Sequence, residues 1–117
     1  MAELNNIVLR CKNSNMPIDK ICSIKTYLPT IDKFKFVEEY TNLLKQHIND
    51  HDGCEVFIAF VFFNLMVVKK YTNIEINLTY EDFDTLQENR IIDKIKDFIG
   101  DDYNLLLRLV QTNNKDD

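Results

Sequence analysis

CEVFIAFVFFNLMVVKKY, residues 54–71, is the stretch that decides the fold. It runs from Cys54 to Tyr71 without a turn signal. Strands are usually about 3–10 residues long, so its β-branched and aromatic content notwithstanding, the run predicts a helix. A helix that is apolar on nearly all sides is buried on nearly all sides. This segment should therefore be the core helix, with the others arranged around it. Lys69 and Lys70 fall in its last turn, where positive charge complements the helix dipole. Its apolar part, Val56–Val68, is interrupted by Asn64. That part is well short of the roughly 20 residues a membrane-spanning helix needs, so no membrane partner is expected.

Working upstream, Pro29 disfavours helix at Leu28, and Thr30 can cap a helix whose first turn holds Asp32. From Ile31 to about Asn49 the apolar positions are Ile31, Phe34, Val37, Tyr40, Leu44 and Ile48. Their spacing of three and four predicts an amphipathic helix with that face inward. Gly53 suits a left-handed position closing the helix. Downstream, residues 73–78 alternate polar and apolar, which predicts at most a short extended segment. Thr79 with Asp82 resembles a capping box before a short helix over about 80–87, with Phe83 and Leu86 inward. A helix over about 90–99 carries Ile91, Ile92, Ile95, Phe98 and Ile99 on one face and stops at Gly100. A last helix covers about 102–111.

The segment 1–26 is mixed. Ile7, Val8 and Leu9 form a short β-prone run, residues 13–15 with Pro17 are loop chemistry, and Ile18, Ile21, Cys22 and Lys25 have helical spacing. The segment reads as an N-terminal arm, docked loosely or onto a partner, with a packed N-terminal helix as the alternative. The expectation is thus a mainly α, small single-domain helical bundle around one buried central helix. It comprises an arm (1–26), a helical domain (27–112) and a polar tail (113–117).

Composition narrows the function classes. The 117 residues carry 14 Lys+Arg against 19 Asp+Glu, a net charge of −5. Nucleic-acid binding through bulk charge requires a basic face, so sequence-specific nucleic-acid recognition is not expected. Two Gly exclude Gly-rich phosphate loops. Ile (13), Asn (13) and Lys (11) are abundant while Ala appears twice, a bias of AT-rich codons rather than of helix propensity. Three cysteines without regular spacing are not a disulfide framework, and the N-terminus MAELNNIVLR lacks a signal-peptide pattern. The expected place of synthesis is a reducing cytoplasm.

Few residues suggest chemistry. His47 and His51 lie four apart, with Cys54 beyond, and could hold a metal ion. Gly53 would turn the chain between them. The carboxylate pairs Glu38-Glu39, Asp82/Asp84 and Asp101-Asp102 fall at helix starts or on polar faces. No catalytic residue, metal or cofactor is therefore expected. A helix apolar all round is hard to cover in a chain of this size. The side carrying Phe57 or Phe60–Phe62 is a candidate partner face. Partner contacts are otherwise expected at Ile7, Val8, Leu9, Ile21, Tyr27 and Leu28 of the arm and its hinge, and at the basic-aromatic spot Lys69, Lys70 and Tyr71.

Three segments together resemble a known group. Tyr27-Leu28-Pro29 with Lys33 opens one helix. Residues 63–73, FNLMVVKKYTN, close the buried one. Residues 88–95, ENRIIDKI, followed by Asp101-Asp102-Tyr103, close the chain. Their order resembles small virion-structure proteins of tailed bacteriophages, including the crAss-like phages. The resemblance implies a non-enzymatic capsid-associated or head–tail neck component, made in the host cytoplasm and located in the virion. Its partners would be capsid, portal or neck proteins, in an oligomer or multi-copy assembly. The alternatives are a cytosolic phage-encoded module that binds a host protein, and a small metal-binding protein using His47, His51 and Cys54.

Overall fold

A computed structural model of the chain describes residues 2–13 and 16–115. In chain order the elements are β1 (Ala2–Glu3), α1 (Leu4–Asn13), α2 (Ile18–Ile21), α3 (Thr30–His47), α4 (Glu55–Tyr71), β2 (Ile74–Glu75), α5 (Tyr80–Glu88), α6 (Ile91–Ile99) and α7 (Asp101–Lys115). The fold is mainly α, 73% helical, and measures 45 × 31 × 21 Å. The tail expected at 113–117 begins as a continuation of α7. Residues 116–117 of that tail, and 14–15 of the expected loop, lie outside the described residues.

The hydrophobic run does form the core helix. Every α4 residue from Val61 to Val68 is buried, which requires neighbours on every side. α3 packs on it most extensively, and α5, α6 and β2 also touch it. Asn64, the polar interruption, is 1% exposed and fully used. Its amide donates to the Phe60 carbonyl at 2.9 Å, and Tyr103 donates its hydroxyl to Asn64 Oδ1 at 2.8 Å. A buried amide is tolerated only when it is paired in this way.

α3 is where expectation and structure part. Tyr40 is buried as expected and Val37 and Leu44 pack against the core, but Ile31 and Phe34 are 63% and 59% exposed, and Lys33 and Phe36 are buried in their place. The helix is rotated because Lys33 has a partner inside. Its Nζ lies 2.8 Å from Asp102 Oδ1, with the two side chains 5% and 6% exposed. Nζ also donates to the Leu28 carbonyl at 2.5 Å and sits 3.9 Å above the Tyr27 ring. Asp102 Oδ2 accepts from the Leu28 backbone N–H at 3.0 Å and from the Tyr71 hydroxyl at 2.6 Å. One carboxylate thus ties α7 to α3, to the end of α4 and to the linker before α3. It stands in the first turn of α7, where the helix dipole favours a negative charge. Gly100 sets up that position. With φ 66° and ψ −120°, a conformation open to glycine, it ends α6, and α7 starts at the next residue.

The N-terminal segment is not a separate arm. Ile7, Ile18, Ile21 and Cys22 belong to the same core as α4. β1 pairs with β2 in parallel, Ala2 opposite Ile74 and Glu3 opposite Glu75. Further along, Lys25 N–H donates to the Tyr71 carbonyl at 2.7 Å, and Ser23 and Asn73 exchange hydrogen bonds at 3.0 and 3.1 Å. The extended segment expected near 73–78 therefore exists but shrinks to Ile74–Glu75, and its partner is the chain's start. Thr30 is the first residue of α3 and not its cap, a place taken by Pro29. Gly53 (φ 80°) lies in the turn before α4, because α3 ends at His47. Phe98 is 36% exposed rather than inward. Thr79 does cap α5, accepting from the Asp82 N–H at 3.2 Å.

The Lys33–Asp102 pair generates two expectations. Lys33→Met leaves a buried carboxylate without its counter-ion, which should cost about 3–5 kcal/mol. Lys35→Met, on the exposed side of the same helix, should stay within about 0.5 kcal/mol. Urea unfolding of the two variants measures the contrast. Burial acts to raise the Asp102 carboxyl, but Lys33, Tyr71 and the Leu28 N–H outweigh it and hold it below its usual range. A depressed folded value contributes stability above the unfolded value of about 3.9 and loses it as pH falls through the folded one. Stability should therefore drop on acidification below about pH 4, more steeply for the native chain than for Asp102→Asn. Unfolding midpoints between about pH 2 and pH 6, the range over which carboxylates titrate, test this.

Candidate functional site: an aromatic groove between α4 and α5

The expected partner residues do not gather into one surface. Ile7, Ile21, Leu28 and Tyr71 are buried, and Val8 is half-buried. Leu9 and Tyr27 are exposed, at 56% and 59%. Tyr71 is the Asp102 ligand described above, and burial, with Asp102 beside it, pushes its phenol far up. Lys70 pairs with Glu39 at 2.8 Å across α3 and α4, and Lys69 is exposed at the helix end. These positions are chiefly fold residues.

The histidines have other engagements as well. His47 stacks on Phe62, ring centroids 4.4 Å apart, and its Nδ1 lies 2.8 Å from Asp50 Oδ2. Tyr80 donates its hydroxyl to the same Asp50 oxygen at 2.8 Å. Burial and the Asp50 carboxylate push the Tyr80 phenol up to about 12, and these contacts lower Asp50. His51 stands edge-on to Tyr80 at 6.3 Å. Among the described residues no three His, Cys, Asp or Glu side chains are grouped as a metal ion requires. The His47–His51–Cys54 set is therefore not assembled into a ligand sphere. The cluster instead joins the α3–α4 turn to the start of α5.

What this junction leaves uncovered is the first part of α4. Val56 is 87%, Phe57 62% and Phe60 46% exposed. They lie beside Phe83 of α5, which is buried. The three rings form one cluster of edge-to-face contacts. Phe57 and Phe60 are 6.4 Å apart, Phe57 and Phe83 6.4 Å, and Phe60 and Phe83 6.0 Å. Such pairs hold ring orientation as well as burying area. With Gly53, Cys54 and Gln87 they line an open groove of about 650 Å³. A smaller apolar recess of about 200 Å³ adjoins it, lined by His51, Cys54, Ile58 and Tyr80 among others.

Of the side of α4 anticipated as a partner face, only part is exposed. Phe57 and Phe60 face outward, whereas Phe62 is 0% exposed and belongs to the core. Val56 and the Phe83 floor of the groove escaped the sequence reading. The available signal was the length of α5, since a 9-residue helix cannot cover a 17-residue one from end to end. Chemically the groove offers apolar and aromatic surface with one exposed thiol. Apart from that thiol and the Gln87 amide, the side chains lining it are hydrocarbon.

No match to this chain emerges from comparison with protein families, with characterised proteins or with solved structures.

The three cysteines should react in an order set by their surroundings. Cys54 is exposed at the start of α4, Cys11 is half-buried, and Cys22 is buried. Burial, with Cys11 and Asp19 adding to it, pushes the Cys22 thiol up to about 11. The thiolate is the reactive form. At a pH of about 8, near the ordinary thiol range, a maleimide should label Cys54 first and Cys22 only on unfolding. Peptide mapping by mass spectrometry checks the order. Early labelling at Cys22 would contradict the packing of residues 18–22.

Proposed function

We propose that this chain is a non-enzymatic binding component that acts through protein–protein contacts, with the α4–α5 groove as its contact surface. The observation that carries the reading is the exposure of Val56, Phe57 and Phe60 around a buried Phe83. Contiguous apolar surface is costly to leave in water and marks interaction sites, and aromatic anchors dominate such contacts. The buried polar groups point the same way. Lys33, Asp102, Tyr71, Asn64 and Tyr103 are bonded to one another or to backbone, and none of them lines the groove.

The setting we propose is the virion of a tailed bacteriophage, as a capsid-associated or neck protein in a multi-copy assembly. Its support is the sequence resemblance of the segments at 27–33, 63–73, 88–95 and 101–103, together with the AT-rich codon bias. Many simultaneous contacts in a particle let a modest groove act with high avidity.

The test is composition of purified particles. The native chain should be found by mass spectrometry in particles at a fixed ratio to the major capsid protein. Phe57→Ser/Phe60→Ser should fold normally by circular dichroism and be lost from the particles. A chain absent from particles, or a double variant that still joins them, would count against the proposal.

A further inference from the structure

Residues 46–68 and 71–89, which supply all of the groove's walls, contain no Lys or Arg, and the exposed Arg90 lies just beyond them. Asp52, Glu55, Asp84 and Glu88 each adjoin a lining residue in the chain, and all four are exposed. Glu55 is in part engaged locally. Its carboxylate accepts from the Gly53 N–H at 3.3 Å and answers the positive end of the α4 dipole. Asp50 is held by His47 and Tyr80. Asp52, Asp84 and Glu88 form no ion pair among the described residues. The apolar floor is thus flanked along the chain by exposed carboxylates, with no lysine or arginine in the segments that form its walls.

The shape of the site restricts the form of a ligand. Its walls are two helices, with Phe57 and Phe60 three positions apart on α4 and Phe83 and Gln87 four apart on α5. Side chains at these spacings form ridges between which a third helix can seat its own apolar stripe. Strand addition would need a free sheet edge, and the short β1–β2 pair does not line the groove.

Resting on the interaction reading above, we infer that the groove receives an amphipathic helix of another protein, apolar along one stripe and flanked by lysine or arginine. The apolar stripe covers Phe57, Phe60 and Val56, and the basic flanks meet Asp52, Asp84 and Glu88. Complementary charges of this kind govern encounter and partner choice more than total affinity. The same carboxylates disfavour two other occupants. A second copy meeting face to face would place carboxylate against carboxylate, because a two-fold contact repeats the same patch on both sides. An anionic membrane surface would be repelled rather than attracted.

The experiment uses the full chain and two fluorescent peptides of about 18 residues that share one Leu/Phe stripe at i, i+3, i+4 and i+7. One peptide carries Lys at the flanking positions and the other Glu. Anisotropy titration should show the Lys peptide binding at least about tenfold more tightly at low salt. The gap should close as salt rises to about 0.5 M, where screening reaches contact distances. Phe57→Ser/Phe60→Ser should abolish binding of both peptides. Asp84→Lys/Glu88→Lys should reverse the preference while helicity is retained.

Equal binding of the two peptides, lost in the double serine variant, would overturn the charge selection and leave the interaction reading standing. So would a failure of both peptides with a concentration-dependent dimer in sedimentation that the serine variant dissolves, which would make a second copy the occupant. Groove-dependent binding to phosphatidylcholine–phosphatidylglycerol vesicles would overturn both readings. A chain that binds neither peptide, stays monomeric, ignores vesicles and is absent from particles would overturn both as well.

Discussion

An ammonium group and a carboxylate enclosed together, Lys33 and Asp102, set the geometry of this molecule. Neither could remain charged alone at that depth, since desolvation costs several kcal/mol per ion. The pair is completed by groups from elsewhere in the chain: the Leu28 carbonyl and N–H, the Tyr27 ring and the Tyr71 hydroxyl. Because α3 must point Lys33 inward, Phe36 and Tyr40 follow it one and two turns later. Their rings then meet Phe63 of α4 edge-on, at 5.6 and 5.9 Å. The packing of the two longest helices is thus registered by a polar contact, and the apolar contacts conform to it.

That dependence explains what sequence patterning could and could not reveal. α4 was legible because its run of apolar or neutral side chains is too long for a strand and apolar on nearly every side, and from Val61 to Val68 it does lie at the centre. The capping of α5 and the stop at Gly100 were legible because they are local chemistry. The rotation of α3 was not. Counting apolar residues favours the Ile31–Phe34 stripe, and a lysine is scored as outward unless its partner, far along the chain at the start of α7, is known. Tyr71 was misread for the same reason: beside Lys69 and Lys70 it looks like part of a surface spot, and its hydroxyl is in fact bound to Asp102.

The N-terminal segment and the groove fail and succeed for related reasons. Strands as short as these carry almost no pattern, so nothing local announces that residues 2–3 pair with 74–75. The apolar load of Ile7, Ile18 and Ile21 is visible, but whether it covers its own core or a neighbour's depends on that pairing. On α4, the excess of aromatic surface over available cover was legible as a quantity. Which rings remain outside was fixed by where α5 begins and ends, and by the Asp50–Tyr80 bond that anchors it.

The distance in sequence between Lys33 and Asp102 also has a temporal side. At about 5–20 residues per second of synthesis, the stretch of chain between them takes on the order of 3–14 s to make. Throughout that interval Lys33 lacks its Asp102 partner, and α4 emerges before α5, α6 and α7 exist to pack with it and α3. The nascent chain therefore carries apolar surface of α4 still lacking part of its cover before the contact that orders α3 exists. Completion of the fold waits until α7 has left the ribosome. Loss of the start of α7 would accordingly be felt in α3, in the end of α4 and in the linker at Leu28, all of which Asp102 holds.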